Sequence, residues 1–237
     1  MALISDLEPL PALSAIILAG GRSRRMGHDK ALLTLPDGRP LLHRTAQIAQ
    51  QLATDVVVVT PWSDRYRSAL PPQVRLIHET TAPGKAAGPL SGFAEGLKQI
   101  SSDWCLLLAC DMPYLQSAPL QQWWAWIQRQ TIQDQTLRDQ AIMASLTHST
   151  AAAHTKRWEP LCGFYHCNCQ SALEQYLSSP CKEPDQPQHN QTKPRARLSF
   201  QSWLTTLAIA PYSHLPKKIL FNCNTPDDWA SVHQALE

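Results

Sequence analysis

The chain has 237 residues, of which 43% are hydrophobic and 17% charged, and its formal net charge is +2. That is enough apolar material to bury a full core in one α/β unit, and too little basic charge for a surface that grips nucleic acid. No apolar run approaches the length of a membrane span, and residues 1–13 carry Asp6 and Glu8 without a basic start, so a flexible tail is expected there rather than a secretory signal.

From residue 14 onward a single domain is expected. Ala15 to Leu18 is a continuous apolar run, the pattern of a parallel strand buried on both faces. It opens into Gly20-Gly21, which permits a sharp turn and leaves bare amides of the kind that bind anions. Arg22, Arg24, Arg25 and Lys30 follow against the single anion Asp29, so phosphate oxygens would meet backbone donors and cationic side chains together. A solvated basic loop is the plain alternative, and it leaves the ordered spacing of glycines and cations unexplained. Neither Gly-x-x-x-x-Gly-Lys-Ser/Thr nor Gly-x-Gly-x-x-Gly is present, which weakens kinase-like and dehydrogenase readings.

Helical spacing over Pro40 to Leu52 leads to the β-branched run Asp55 to Thr60, ended by Pro61. Val74 to His78 reads as a third strand, Leu90 to Ile100 as a helix, and Trp104 to Ala109 as a fourth, deeply buried strand. Gln116 to Gln130 reads as a helix whose Trp123, Trp124 and Trp126 suit core and rim packing better than base stacking. Ala141 to Leu146 and Leu161 to Tyr165 read as strands. Residues 179–197 hold Pro180, Pro184, Pro187 and Pro194 among polar groups, and a surface-loop insertion is expected there. A helix from about Ser199, a strand over Ile219 to Asn222, and a last helix capped by Thr225 with Pro226 at its first position complete the chain. The alternation predicts an α/β fold: a doubly wound, mostly parallel sheet with helices on both faces and ligands at the carboxyl ends of its strands.

The stretch Leu18-Ala-Gly-Gly-Arg-Ser-Arg-Arg-Met-Gly-His-Asp-Lys30 resembles the signature of Rossmann-like sugar-phosphate and cofactor nucleotidyltransferases, most closely the molybdenum cofactor guanylyltransferases. Gly88-Pro-Leu-Ser-Gly92, Cys110-Asp-Met-Pro113 and Asn222-Cys-Asn-Thr-Pro-Asp-Asp228 extend the resemblance in the same order along the chain. The resemblance implies Mg²⁺-dependent transfer of GMP from GTP to the terminal phosphate of molybdopterin or its molybdenum-loaded form, with release of pyrophosphate. It also implies molybdoenzymes or other cofactor-biosynthesis proteins as partners. Cytidylyl transfer to the same acceptor is the nearest alternative, and a nucleotide-binding regulator without turnover is an alternative of another class.

Such a transfer needs an attacking phosphate oxygen in line with the α-phosphorus, while charge building on the pyrophosphate oxygens is neutralised. Lys30 is the first choice for the triphosphate, assisted by Arg24 and Arg25, with Leu18, Ala19, Gly20 and Gly21 supplying backbone contacts. Asp111 follows the most apolar strand, where an unpaired carboxylate would be costly and a Mg²⁺ ligand well placed; capping the turn before Pro113 is its structural alternative. By resemblance, Gly88, Pro89 and Leu90 lie beside the nucleotide. Glu79 falls where related guanylyltransferases carry an aspartate, and Val59-Thr60-Pro61 stands where an asparagine-containing turn is expected.

Strand alternation would turn Asn222 and Asn224 to one side and Cys223 to the other. By resemblance these two asparagines close the acceptor side, and Arg197 or Arg195 helps hold the acceptor phosphate. His28 is read as a phosphate contact or a solvated side chain, because an ionised phosphate nucleophile needs no base. Cys162, Cys167, Cys169 and Cys181, with His166 and His189, lack paired Cys-x-x-Cys knuckles, which speaks against zinc. Seven cysteines, with Cys105, Cys110 and Cys223 in apolar runs, suit reduced thiols in the cytoplasm.

Overall fold

The computed structural model describes residues 12–21, 26–79, 88–133, 141–146, 157–179 and 199–236. Seven strands form one sheet: β1 (Leu13–Leu18), β2 (Asp55–Thr60), β3 (Arg75–His78), β4 (Trp104–Ala109), β5 (Ala141–Leu146), β6 (Arg157–His166) and β7 (Ile209–Tyr212). Their order is β3-β2-β1-β4-β6-β5-β7. The first four are mutually parallel, β6 runs antiparallel to both β4 and β5, and β7 is parallel to β5. The mostly parallel α/β sheet read from the alternation is therefore present, with β6 as the one reversed strand among those described.

Side chains of the central strands alternate between two apolar layers, as the two-residue period of a strand requires. Ala15, Ile17, Val56, Val58, Leu106 and Leu108 enter one layer with α1 (Leu41–Gln50) and α4 (Ser117–Gln133). Ile16, Val57, Val59, Cys105 and Leu107 enter the other with α3 (Pro89–Leu97), α5 (Cys169–Ser178) and α6 (Phe200–Leu204). Each fully buried Leu, Ile or Phe stabilises the fold by about 1.5–3 kcal/mol relative to exposure. Trp123 is fully buried and stacks on Tyr212 at 5.1 Å and 6°, while Trp124 stacks on Phe164, so these rings are packing elements.

Several boundaries differ from the expected ones. β1 starts at Leu13, and the carbonyl of Ala12 already accepts from the Trp104 amide; the rest of the expected tail lies outside the described residues. β6 reaches back to Arg157, and α5 and β7 add two elements not expected, although Cys169, Ala172, Leu173, Tyr176 and Leu177 have the helical spacing that places α5 on the second layer. Residues 219–222 do not form a strand: Lys217–Leu220 make a 3₁₀ turn after Pro216, and the apolar pair Ile219-Leu220 is accounted for by burial in the first layer. The last helix, α7 (Pro226–Leu236), starts as expected, with Thr225 Oγ1 accepting from the Asp228 amide at 3.1 Å. Apart from Ser179, the expected insertion lies outside the described residues. No helix among the described residues is long and apolar enough to cross a membrane.

Cys162 enters the first layer and Cys169 the second, so these thiols lie on opposite faces of the sheet and cannot share a metal. Cys181 and His189 lie outside the described residues. The contact between α3 and the sheet is close enough to test. A Cβ added at Gly96 would lie 2.7 Å from Ile16 Cγ2 and 3.2 Å from Val59 Cγ2, both on buried residues. Gly96→Ala is therefore expected to lower stability by about 1–2 kcal/mol in urea unfolding, although the same exchange in an exposed helix gains about 1 kcal/mol. A raised unfolding midpoint would contradict that packing.

Candidate active site

A cavity of about 730 Å³ opens at the carboxyl ends of the parallel strands. Its walls come from Leu18 to Gly21 at the end of β1, Val59, Pro61 and Trp62 at the end of β2, Glu79 after β3, and Ala109 to Asp111 at the end of β4. Asp29 to Ala31, Tyr66, the start of α3 at Gly88, Pro89 and Gly92, and Leu161 of β6 complete it. Gly88 is the N-cap of α3 and Pro89 its first residue, so an uncapped helix terminus with partial positive charge adjoins the cavity. Leu90 is buried beneath it in the second apolar layer instead of lining it.

The two signature glycines serve different steric needs. A Cβ at Gly20 would lie 3.0 Å from Glu79 Oε2 and 3.4 Å from the Pro61 ring, so the bare backbone permits a close approach. A Cβ at Gly21 would meet nothing within 4 Å, which leaves space beside the backbone for a ligand. Gly20 and Gly21 have no positive φ; that conformation occurs at Gly27, with φ +69°, where the loop returns to the buried Met26 anchor. Arg24 and Arg25 lie outside the described residues. His28 is exposed.

Lys30 is the central cation of the site. Its Nζ donates to Asn224 Oδ1 at 2.8 Å and to Asp111 Oδ2 at 3.2 Å. Both charged side chains are partly shielded, with 14% and 22% exposure, so their attraction is screened less than that of a surface pair. Asp111 itself is tied down by its backbone, whose carbonyl accepts from the Cys223 amide at 2.9 Å. Asn224 is fixed in turn by the start of α7, where Asp228 Oδ2 accepts from the amides of Asn224 and Thr225, each at 2.8 Å. Those bonds, from Asn224 first, hold the Asp228 carboxyl below its ordinary pKa.

The structure separates the two asparagines that alternation pairs. Asn224 joins Lys30, whereas Asn222 donates to Glu159 Oε2 at 3.3 Å on β6. The extended segment does reverse side chains at Cys223, which is buried and whose thiol is pushed up to about 11 by that burial. Arg197 and Arg195 lie outside the described residues.

Sequence reasoning missed the group that orients the lysine. Asp29 caps the 3₁₀ turn Lys30–Leu32, accepting from the Ala31 amide at 3.2 Å. Its carboxylate also accepts from the Tyr66 hydroxyl at 2.8 and 2.9 Å and from Arg65 Nη1 at 3.0 Å. Tyr66 belongs to the short helix α2 (Ser63–Tyr66), and burial, then Asp29, push its hydroxyl far above the ordinary value, so it remains a donor. An Asp preceding a short apolar turn is a visible N-cap signal, but its distant tyrosine partner has none. Trp62 and Cys110 also line the cavity; burial, then Asp111, push the Cys110 thiol up, so it stays protonated near neutrality.

Thr60, found where an asparagine turn was expected, stitches the ends of β1 and β2 together. Its hydroxyl donates to the Ala19 carbonyl at 2.9 Å and accepts from the Trp62 amide at 3.1 Å. Glu79 is anchored nearby by its amide, which donates to the Thr60 carbonyl at 2.9 Å. Gly20 leaves room for its longer side chain, whereas a Cβ at Gly92 would press on Leu18 Cδ2 at 3.3 Å and only touch Glu79 Oε1 at 3.7 Å.

A glycine loop, a shielded lysine and a carboxylate gathered at the carboxyl edge of this sheet define a nucleotidyltransferase. The model of the MobA-like NTP transferase domain matches residues 15–184, and the chain belongs to that family. It is 40% identical over 220 residues to a probable molybdenum cofactor guanylyltransferase of Trichormus variabilis, covering 93% of this chain and 90% of the relative. A protein of the same description from Synechococcus elongatus is 39% identical, with 92% and 97% covered. In structure the chain is similar to molybdopterin-guanine dinucleotide biosynthesis protein A from Archaeoglobus fulgidus, with TM-score 0.63, 18% identity, and 94% and 97% covered.

Glu79 gives this site a pH signature. Burial, then repulsion from Glu95, raises its pKa above the ordinary 4.5, against a smaller opposing effect of His78. Ionising Glu79 therefore costs the ligand-free fold stability above the raised pKa, and the cost fades as pH falls through it. Glu79→Gln is expected to raise the melting temperature at neutral pH, with the gain shrinking on acidification toward the ordinary carboxylate range. A gain independent of pH, or a loss at neutral pH, would contradict this.

Proposed function

We propose that the protein transfers GMP from GTP to the terminal phosphate of molybdopterin or its molybdenum-loaded form, producing the guanine dinucleotide cofactor and pyrophosphate. The observation that carries this reading is the Lys30 ammonium held between Asp111 at 3.2 Å and Asn224 at 2.8 Å, at the edge where the glycine loop enters the cavity. Lys30 meets the triphosphate oxygens and balances the charge that builds on pyrophosphate as it leaves. The Leu18 to Gly21 backbone cradles the phosphates, with Arg24 and Arg25 adding positive charge from the same loop. The acceptor phosphate is ionised near neutral pH and attacks without a general base, so the protein's main task is alignment.

Glu79 supports guanine as the base. Its carboxylate accepts from both N1–H and the exocyclic amine of guanine, whereas cytosine offers one amine donor beside ring acceptors. Asn224, beside Lys30, serves the acceptor side with Arg197 assisting at the acceptor phosphate, whereas Asn222, bonded to Glu159, acts by holding that segment against β6.

Asp111 suits Mg²⁺. Mg²⁺ characteristically takes one or two carboxylates and completes its shell with water and substrate phosphates, the role a single carboxylate at the cavity can fill. When bound, the ion neutralises phosphate charge in the transition state. Lys30 keeps the Asp111 carboxylate compensated before nucleotide arrives. The reaction is assigned to the cytoplasm.

Lys30→Ala and Asp111→Asn are each expected to lower kcat for pyrophosphate release by about a hundredfold or more, the scale of a lost transition-state charge contact. The assay uses GTP, Mg²⁺ and molybdopterin, with circular dichroism checking that both variants fold. Turnover near the parent level in either folded variant would contradict the assignment.

A further inference from the structure

Among the described residues, Phe221 is the one exposed large hydrophobic side chain, at 37%. It is paired with Tyr114, the ring centroids 5.9 Å apart and the planes at 52°. Lys218 Nζ lies 4.5 Å from the centre of the Tyr114 ring. Two aromatic rings and an ammonium thus form one partly open surface. Such a surface attracts a flat heteroaromatic ring carrying negative substituents, by stacking and by charge.

Its place in the fold matters as much as its composition. Tyr114 follows Asp111 by three residues, and Phe221 precedes Asn224 by three. The bond from the Cys223 amide to the Asp111 carbonyl ties these two segments together. Chain length alone keeps each ring's backbone within roughly 10 Å of the Asp111 or Asn224 backbone. That is comparable with the length of molybdopterin from phosphate to pterin ring. The sheet order separates the two halves of the site: Glu79 follows β3, and α3, which Gly88 caps, packs on β2 and β1, whereas Asp111 and Tyr114 follow β4, the strand between β1 and β6. A nucleotide seated on the first side leaves the second to the acceptor.

We propose that Tyr114 and Phe221, with Lys218 beside them, form the shelf on which the pterin ring of the acceptor stacks while its phosphate reaches Lys30 and Asp111. This assignment rests on the guanylyltransferase reading of the adjoining cavity. The rings bind the face of the pterin, and Lys218 balances the negative charge of the acceptor. No bond is made or broken on the shelf.

A pterin monophosphate, followed by its own fluorescence, tests the shelf without turnover. Phe221→Ala and Tyr114→Leu are each expected to weaken its binding about tenfold, with GTP binding retained, and Phe221→Trp to restore it. Because Phe221 is exposed, its truncation leaves the core intact even if the Tyr114 variant misfolds. Parental affinity in Phe221→Ala, or no saturable binding of the probe to the parent protein, would overturn the proposal. An effect confined to acceptor delivered by a carrier protein would also overturn it, assigning the surface to a protein contact.

Pyrophosphate release from GTP with molybdopterin, run in parallel, separates this proposal from the reading beneath it. The shelf variants are expected to raise the acceptor KM and leave the GTP KM unchanged. A parent protein that binds the probe through Phe221 yet releases no pyrophosphate keeps the shelf and removes guanylyl transfer. Turnover with an unchanged acceptor KM in the folded variants removes the shelf and keeps the transfer.

Discussion

The ammonium of Lys30 bonds to Asp111, 81 residues away, and to Asn224, 194 residues away, so one cation draws the first, middle and last parts of the chain to a single point. Each partner is held by a rigid neighbour. Asp29 caps the turn that carries Lys30, strand β4 delivers Asp111, and the Asp228 capping bonds fix Asn224. A lysine alone on a loop would keep much of its conformational freedom and would have to lose it on binding. Held by two oxygen acceptors, Lys30 has less freedom left to lose on meeting an anion.

The sheet explains why those three segments meet. β1 and β4 are adjacent and parallel, so Leu18 pairs with Ala109 and both chains leave the sheet at the same edge. Buried apolar layers on both faces make that edge a fixed frame, and the polar groups of the site stand on the loops above it. The reversed strand β6 then brings Leu161 to the cavity and Glu159 to Asn222, building a distinct wall beyond β4. One sheet edge thereby offers a region suited to a nucleotide and another suited to the molecule that attacks it.

Much of this was legible in the residues. Strands buried on both faces, such as Val56 to Val59 and Leu106 to Leu108, announce themselves as unbroken apolar runs. The glycine loop, Lys30 and Asp111 could be read as parts of one site, because each follows such a strand. β7 could not: Ile209–Tyr212 is four residues long, contains Pro211, and is tolerated only at the end of the sheet. The apolar pair Ile219-Leu220 looked like a strand but lies in a 3₁₀ turn. Long-range side-chain pairing was equally hidden, since nothing local to Asp29 names Tyr66, and nothing local to Asn222 names Glu159.

The central claim is that this site moves guanylate to a molybdopterin phosphate. The most direct measurement follows the α-phosphorus label of GTP and, separately, of CTP into product when purified protein is mixed with Mg²⁺ and molybdopterin. Label from GTP is expected in a guanine dinucleotide, one pyrophosphate being released for each product, with CTP much the poorer donor. Preferential incorporation from CTP, or no incorporation from either with intact acceptor and folded protein, would contradict the account.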